Sequence, residues 1–393
     1  MSKDILKNFA PFAPFAVIFL KLHFVESVIL KIRDNFRKST HNNWSDQFTS
    51  TMKKFTLLIF LLFSSFINTA FSQEQKFAKL GDFKLESGEF IRDCRIGYRT
   101  FGTMNTDKSN VVIYLMWAGG RTENLNLKPS DGGKMIDTNK FFVIAIDAFS
   151  NGVSSSPSNS KLQPRIRFPR YTMRDVVNAQ YFLLTKILKV NHVKAVTGVS
   201  MGGMQTFQWL VSFPDFMDKA IPIVGSPQLA PYDLLHWQTQ ISAIMNDPDW
   251  KNGNYTKNPA REFEYEIGAL ILTTPDEYNR RMTREKVFAE IAKSKNATGG
   301  LDANDKIRQV QAMMSIDVTE KFDGSWEKTA ASVKTRSLIV VARQDHTVTP
   351  SPALKFATLL KAETLVLEGD CGHSLHLCES AKVNSVIENF LLK

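Results

Sequence analysis

The sequence predicts an α/β protein: a mostly parallel central sheet with helices on both faces and an inserted helical cap. Three observations carry this reading. Six short apolar, β-branched runs are bounded by turn residues, helical periods fall between several of them, and one gap is far too long for a crossover. Continuous apolar strands separated by helices belong to a parallel sheet buried on both faces.

In chain order the runs are VVIYLM (111–116), FFVIAID (141–147), VKAVTG (193–198), KAIPIVG (219–225), SLIVVA (337–342) and TLVLEG (364–369). Helical periods appear in MRDVVNAQYFLLTKIL (173–188) and SPALKFATLLK (351–361). From about 228 to 334 there is helical text such as YDLLHWQTQISAIM and DANDKIRQVQAMMSI but no clear strand run. That stretch reads as a cap over the strand ends, where open α/β sheets place their sites. Its Met and aromatic residues read as packing rather than as a cofactor box, since Met readily fills irregular cores.

The leader is separate. MKKFTLLIFLLFSSFINTAFSQ begins at Met52 with two lysines, continues with an apolar run from Phe55 to Phe63, and ends in small and polar residues around Ala70-Phe71-Ser72. These are the three regions of a secretory signal peptide over 52–72. Residues 1–51 carry no readable motif; they fit a start assigned too early, a disordered arm or a membrane-associating arm. The expected mature chain is 73–393, periplasmic or secreted, with no stable membrane span after cleavage, and of a length that suits one large α/β domain with an insertion or two small domains.

The formal charge of +10 shrinks with the leader, which holds nine Lys/Arg and four Asp/Glu and so removes +5. The remaining +5 is spread without basic blocks, so no nucleic-acid partner is indicated. The cysteines are Cys94, Cys371 and Cys378, with no Cys-x-x-Cys pair and no His at ligand spacing. No metal site and no cofactor are expected. In an oxidising compartment Cys371 and Cys378 could bridge; two free buried thiols are the other ordinary outcome.

The chemistry centres on GVSMGGM (198–204), where an apolar strand gives way to a helical segment. A strand-to-helix turn sharp enough to lift one side chain clear of the sheet crowds its own backbone. The positions two before and two after must then be small. Gly198 and Gly202 are those positions and Ser200 is the lifted residue, at a helix N-terminus that favours developing negative charge.

A nucleophile of this kind needs an acid and a base in the order Ser, Asp/Glu, His. Asp345, just past SLIVVA, is the acid that holds the base in its useful tautomer, and His373 in GDCGHSLHL is the base. His346 and His376 are its rivals: His346 abuts the acid itself, and His376 falls at the start of the last helix. A tetrahedral intermediate needs two N–H donors. Met201, after the nucleophile, offers one; Gly119 in WAGGRTENL (117–125) is chosen for the other, a plain Gly-rich turn being the alternative.

These residues carry a family resemblance. GVSMGGMQTFQWLVSFPD resembles the elbow of the homoserine O-acetyltransferase-like branch of the α/β-hydrolase fold. The likeness continues through GYRTFGTMN (97–105), FFVIAIDAFSNGVSSSPS (141–158), RFPRYTMRDVVNAQ (167–180), DPDWKNGNY (247–255), DANDKIRQVQAMMSID (302–317) and the acid and base segments. It implies an α/β-hydrolase fold with Ser200, Asp345 and His373 as the triad. Members acting on homoserine resemble one another in an Asp directly after the base and a cap arginine for the substrate carboxylate. Here those positions are Ser374 and, without gaps, Ile267, while a short gap would bring Arg261 into register. Losing both would leave the charged ends of homoserine without partners, which is costly for buried polar groups.

The expected activity is therefore hydrolysis of a small-molecule acyl ester by an exported serine hydrolase. The alternatives are an O-acyltransferase using an acyl-CoA donor and a catalytically silent binding protein on the same scaffold. The oligomeric state is open, with a homodimer among the options.

Overall fold

A computed structural model describes residues 74–393, except 126, 128–134, 260–261 and 296–299, and the side chains of 262–265. The expected signal peptide, the segment before it and Arg261 lie outside the described residues. Among the described residues, no helix is long and apolar enough to cross a membrane.

The strands are β1 (Lys76–Lys84), β2 (Phe90–Phe101), β3 (Val111–Leu115), β4 (Phe142–Ile146), β5 (Val193–Val199), β6 (Met217–Ile223), β7 (Arg336–Ala342) and β8 (Glu363–Leu367). They form one eight-stranded sheet in the order β1-β2-β4-β3-β5-β6-β7-β8. From β4 to β8 every pairing is parallel. β1 and β2 add an antiparallel edge through β1·β2 and β2·β4.

The helices are α1 (Met173–Phe182), α2 (Met201–Ser212), α3 (Pro231–Met245), α4 (Glu262–Leu272), α5 (Pro275–Arg281), α6 (Arg284–Ser294), α7 (Ala303–Met314), α8 (Trp326–Ser332), α9 (Ser351–Leu360), α10 (Leu375–Cys378) and α11 (Ser380–Leu392). Their ends follow local chemistry. Thr172 caps α1 by accepting from the Asp175 amide, while the Asp175 carboxylate accepts from the Thr172 amide, which satisfies two free donors at once. Asp302 caps α7 by accepting from the Asn304 and Asp305 amides.

Alternation along the strands divides the core between the two faces of the sheet. Ile113 and Leu115 pack with Met204, Phe207 and Trp209 of α2 and Phe356 of α9. Val112 and Tyr114 belong to the opposite cluster with Ile387 and Phe390 of α11. Trp209 is fully buried, and burying such a side chain contributes about 2–3 kcal/mol.

Between β6 and β7 the chain runs through α3 to α8, with one isolated bridge from Gln228 to Asp317. Four of the nine buried residues of α7 are polar: Asn304, Asp305, Arg308 and Gln309. Asn304 donates to the Gly253 carbonyl, Asp305 accepts from the Ser158 amide and hydroxyl, and Arg308 donates to the Phe168 and Ile166 carbonyls. A helix turned inward by polar side chains ties separate loops together. It does so by satisfying their buried carbonyls and amides.

The strand order also fixes where the site falls. From β3 the chain steps to β4 on one side, then returns to β5 on the other, so direction reverses between β3 and β5. In open α/β sheets that reversal opens a crevice at the carboxyl ends of the two strands.

Candidate active site

At the end of β5, Ser200 has φ 59° and ψ −118°, a backbone conformation seldom adopted by a residue with a side chain. The turn is as crowded as its sequence requires. A Cβ on Gly198 would lie 2.6 Å from the Gly202 backbone, and one on Gly202 would lie 2.1 Å from the Leu115 carbonyl oxygen. The strained serine is held by its own amide, which donates to the Ile223 carbonyl at 2.8 Å, and by its carbonyl, which accepts from Met204 as α2 begins.

His373 reaches this serine from the segment after β8. Its Nε2 lies 2.8 Å from Ser200 Oγ, and its Nδ1 lies 2.7 Å from Asp345 Oδ2. The carboxylate can only accept, so Nδ1 carries the proton and Nε2 is left as an acceptor for the serine hydroxyl. Asp345 is positioned in turn by a tight bend after β7, where Oδ1 accepts from the Thr347 and Val348 amides at 2.8 and 2.9 Å. Both Asp345 and His373 are buried.

The rival histidines separate by position. His346 is exposed. His376 lies on the short helix α10, one element before the last helix, and its Nδ1 donates to the His373 carbonyl at 3.0 Å. Burial first, and then the neighbouring His373, push the His376 imidazole down to about 4. Cys371 and Cys378 are joined in a disulfide that encloses this segment, and Cys94 is a buried free thiol.

A cavity of about 370 Å³ opens over Ser200 and His373. Its walls are chiefly apolar, with Tyr114, Trp117, Trp237, Leu272 and Leu377, and it is also lined by Ser374, His376 and one cation, Lys306. No carboxylate lines it among the described residues. Trp237, Leu272, Lys306 and Thr347 also line a neighbouring cavity of about 640 Å³ beneath α4 to α6. Ser374 is thus brought to the nucleophile, whereas Ile267 is half-buried on α4 and lines neither cavity.

Two further carboxyls are shifted by burial. Asp233 is raised to about 6 although it accepts from the Thr349 amide and hydroxyl, and Asp305 is raised to about 7 although it accepts from Ser158. His236 donates its Nε2 proton to the Thr347 carbonyl at 2.9 Å, next to the acid's own bend.

The two oxyanion candidates fare differently. Met201 is the first residue of α2, and its amide is not engaged in the turn and loop hydrogen bonds of the described residues. The Gly119 amide is occupied: it donates to Gln309 Oε1 of α7 at 2.8 Å. Gly119 therefore cannot serve as the second donor in this arrangement, because its proton already points at a buried side-chain acceptor. Trp117 and Ala118, just before it, line the cavity with Ser200, and their amides are likewise outside the loop hydrogen bonds of the described residues. Gln309 was missed in the sequence because its partners, Gly119 and Phe149, are far away in the chain. The available signal was a run of polar residues in DANDKIRQ, recurring at helical spacing on faces that an amphipathic helix would bury.

Comparison with known proteins places the fold and the family. A family model for the α/β hydrolase fold matches residues 119–379. The chain is 28% identical over 352 residues to a homoserine O-acetyltransferase of Methanosalsum zhilinae, covering 79% of this chain and 71% of that protein. It is 33% identical over 200 residues to a protein named probable esterase from Corynebacterium glutamicum, covering 50% of this chain and 57% of that one. Among solved structures, an acetylester hydrolase from C. glutamicum superimposes with a TM-score of 0.74 at 24% identity, over 81% of this chain and 96% of that chain. The chain is an enzyme of the α/β-hydrolase fold family and belongs to its homoserine O-acetyltransferase-like branch.

Proposed function

We propose that this enzyme is an exported serine hydrolase that cleaves a small carboxylic ester through an acyl-enzyme intermediate. The observation that carries the reading is the continuous hydrogen-bonded line from Asp345 through His373 to Ser200. Ser200 Oγ attacks the acyl carbon as His373 Nε2 takes its proton. The imidazolium that forms is stabilised by Asp345 and returns the proton to the departing alcohol. Water, deprotonated by the same imidazole, then attacks the acyl-serine and releases the acid. The Met201 amide and an amide of the Trp117–Ala118 stretch hold the oxyanion in both steps.

Water is preferred to homoserine as acceptor because the cavity offers an ammonium group no carboxylate among its described lining residues. Ser374 stands at the nucleophile where an anionic partner would be needed. Apolar walls favour an ester with at least one hydrocarbon-rich half. Export is supported by the leader pattern and by the Cys371–Cys378 disulfide, a bond that persists in oxidising compartments.

The test is to label the purified protein with a fluorophosphonate and to screen acyl esters of increasing length, with and without homoserine and acetyl-CoA. Labelling confined to Ser200 and turnover without acceptor are expected. Efficient formation of O-acetylhomoserine would reverse the choice in favour of the transferase, and a native product whose mass still includes Met1 would overturn export.

A further inference from the structure

We propose that Gln309 is a positioning residue for the oxyanion-binding loop: it acts through Gly119 and touches neither the substrate cavity nor the triad. The inference rests on the ester-hydrolase reading above. Trp117 to Gly120 form a four-residue turn closed by the Gly120 amide donating to the Trp117 carbonyl at 2.9 Å. Its third residue, Gly119, has φ 70°, which is the type II arrangement. In such a turn the direction of the central peptide is what separates type II from type I. Here that peptide joins Ala118 to Gly119, so the direction of the Gly119 N–H reports which state the turn is in.

Gln309 fixes that direction. Its side chain is fully buried on α7. Oε1 accepts from the Gly119 amide at 2.8 Å, and Nε2 donates to the Phe149 carbonyl at 2.9 Å. The Phe149 carbonyl also accepts from the Tyr171 hydroxyl, so the amide group is anchored to a second fixed point. One turn earlier on the same helix, Lys306 lines the cavity over Ser200. α7 therefore meets the substrate cavity with one residue and the back of the oxyanion loop with another. With the Gly119 proton captured by Gln309, the Trp117–Ala118 stretch keeps one orientation beside Ser200. Without that acceptor the central peptide is free to turn over, and the loop amides lose their fixed aim at the oxyanion.

The experiment compares wild type, Gln309→Leu and Gln309→Glu on a matched pair of substrates, an oxoester and the corresponding thionoester. Thiocarbonyl sulfur is a weak hydrogen-bond acceptor, so amide donors assist the oxoester more. For Gln309→Leu, kcat on the oxoester should fall about 10²-fold, the scale of losing one oxyanion donor, with KM changed less than about threefold. The oxo-to-thiono rate ratio should fall at least about tenfold, a readout that general loosening would not move. Wild-type kcat in Gln309→Leu, or equal losses on both substrates, would overturn the role.

Gln309→Glu covers the case in which the leucine variant does not fold. Its carboxylate still accepts from Gly119 but cannot donate to the Phe149 carbonyl until protonated, so its kcat relative to wild type should rise as pH is lowered. A ratio that stays far below one at every pH, although the acceptor for Gly119 is kept, would overturn the proposal. Fluorophosphonate labelling of the wild type separates the two levels. A labelled, active wild type with an unaffected Gln309→Leu sinks the role of Gln309 alone, whereas an unlabelled, inactive wild type sinks the hydrolase reading and this role with it.

Discussion

The turn after β5 and the turn after β3 face the same cavity, and both are marked by glycine in the sequence, yet they are held in place differently. At the elbow the constraint is steric and local: the backbone around Gly198 and Gly202 leaves no room for a Cβ. At Gly119 there is open space, the nearest atom to a Cβ being Leu301 Cδ2 at 3.8 Å. There the constraint is a positive φ and a hydrogen bond to a residue 190 positions away. The first kind of turn announces its geometry in five residues. The second announces only that a turn exists.

The largest effect expected at the elbow is chemical. Ser200→Ala should abolish fluorophosphonate labelling and lower turnover by several orders of magnitude, while the thermal midpoint stays close to wild type, since the fold does not use the hydroxyl beyond His373. Asp345→Asn should cost on the order of 10⁴ in kcat, because an amide that donates to Nδ1 reverses the tautomer. Retained labelling in Ser200→Ala would remove the elbow from the chemistry. His346→Ala should be nearly silent, given its exposure.

Next in size is the steric test. Gly202→Ala would drive a methyl to within 2.1 Å of a backbone oxygen that cannot move without shifting β3. A loss of about 4 kcal/mol or more is expected, seen as a lowered denaturant midpoint or as insoluble protein. A variant within about 1 kcal/mol of wild type would show that the crowding is relieved elsewhere.

The same distinction explains what could be read in advance. The six parallel strands were legible because a strand buried on both faces must be apolar throughout, as Val111–Leu115 is. β1 and β2 were not, because an antiparallel edge buries one side irregularly: in Lys76–Lys84 a single residue is fully buried. Ser200, His373 and Asp345 were found through chain order and strand ends. Gly119 was chosen from a loop whose Trp117 and Ala118 line the cavity over Ser200, but its own amide donates to Gln309, which no local pattern records. His376 was read as the start of the last helix, whereas it lies one helix earlier and lines the cavity.

His376 supplies a pH test of that placement. Its folded pKa is depressed from 6.5 to about 4, chiefly by burial. The folded state then binds fewer protons than the unfolded chain below pH 6.5. The stability linked to this residue is fully present above 6.5 and falls as pH drops toward 4, by about 3 kcal/mol at the limit. Asp233 and Asp305 have the opposite sign, since their raised values favour the folded state as pH falls through 7 and 6 toward the ordinary carboxyl range. The net slope is therefore uninformative, but the difference between wild type and His376→Gln is not. Unfolding free energies should diverge between pH 6.5 and 4, with wild type losing relative to the variant; parallel curves would show that His376 is not held buried and neutral.

The smallest expected effect is at the other turn. Gly119→Ala meets no steric block, so its cost should be the left-handed backbone alone, about 1–2 kcal/mol, well below that of Gly202→Ala. Its consequence for turnover should exceed its consequence for stability. A residue that resists φ 70° favours turning over the Ala118–Gly119 peptide, which would withdraw the amide from Gln309 and disturb the loop beside Ser200. The measurement is kcat and the unfolding free energy on the same preparation, set against Gln309→Leu. If the glycine variant and the glutamine variant act through one peptide orientation, the double variant should lose little more kcat than either alone, the non-additivity of groups that share a task. Fully additive losses would mean that the turn and the glutamine influence Ser200 by separate routes.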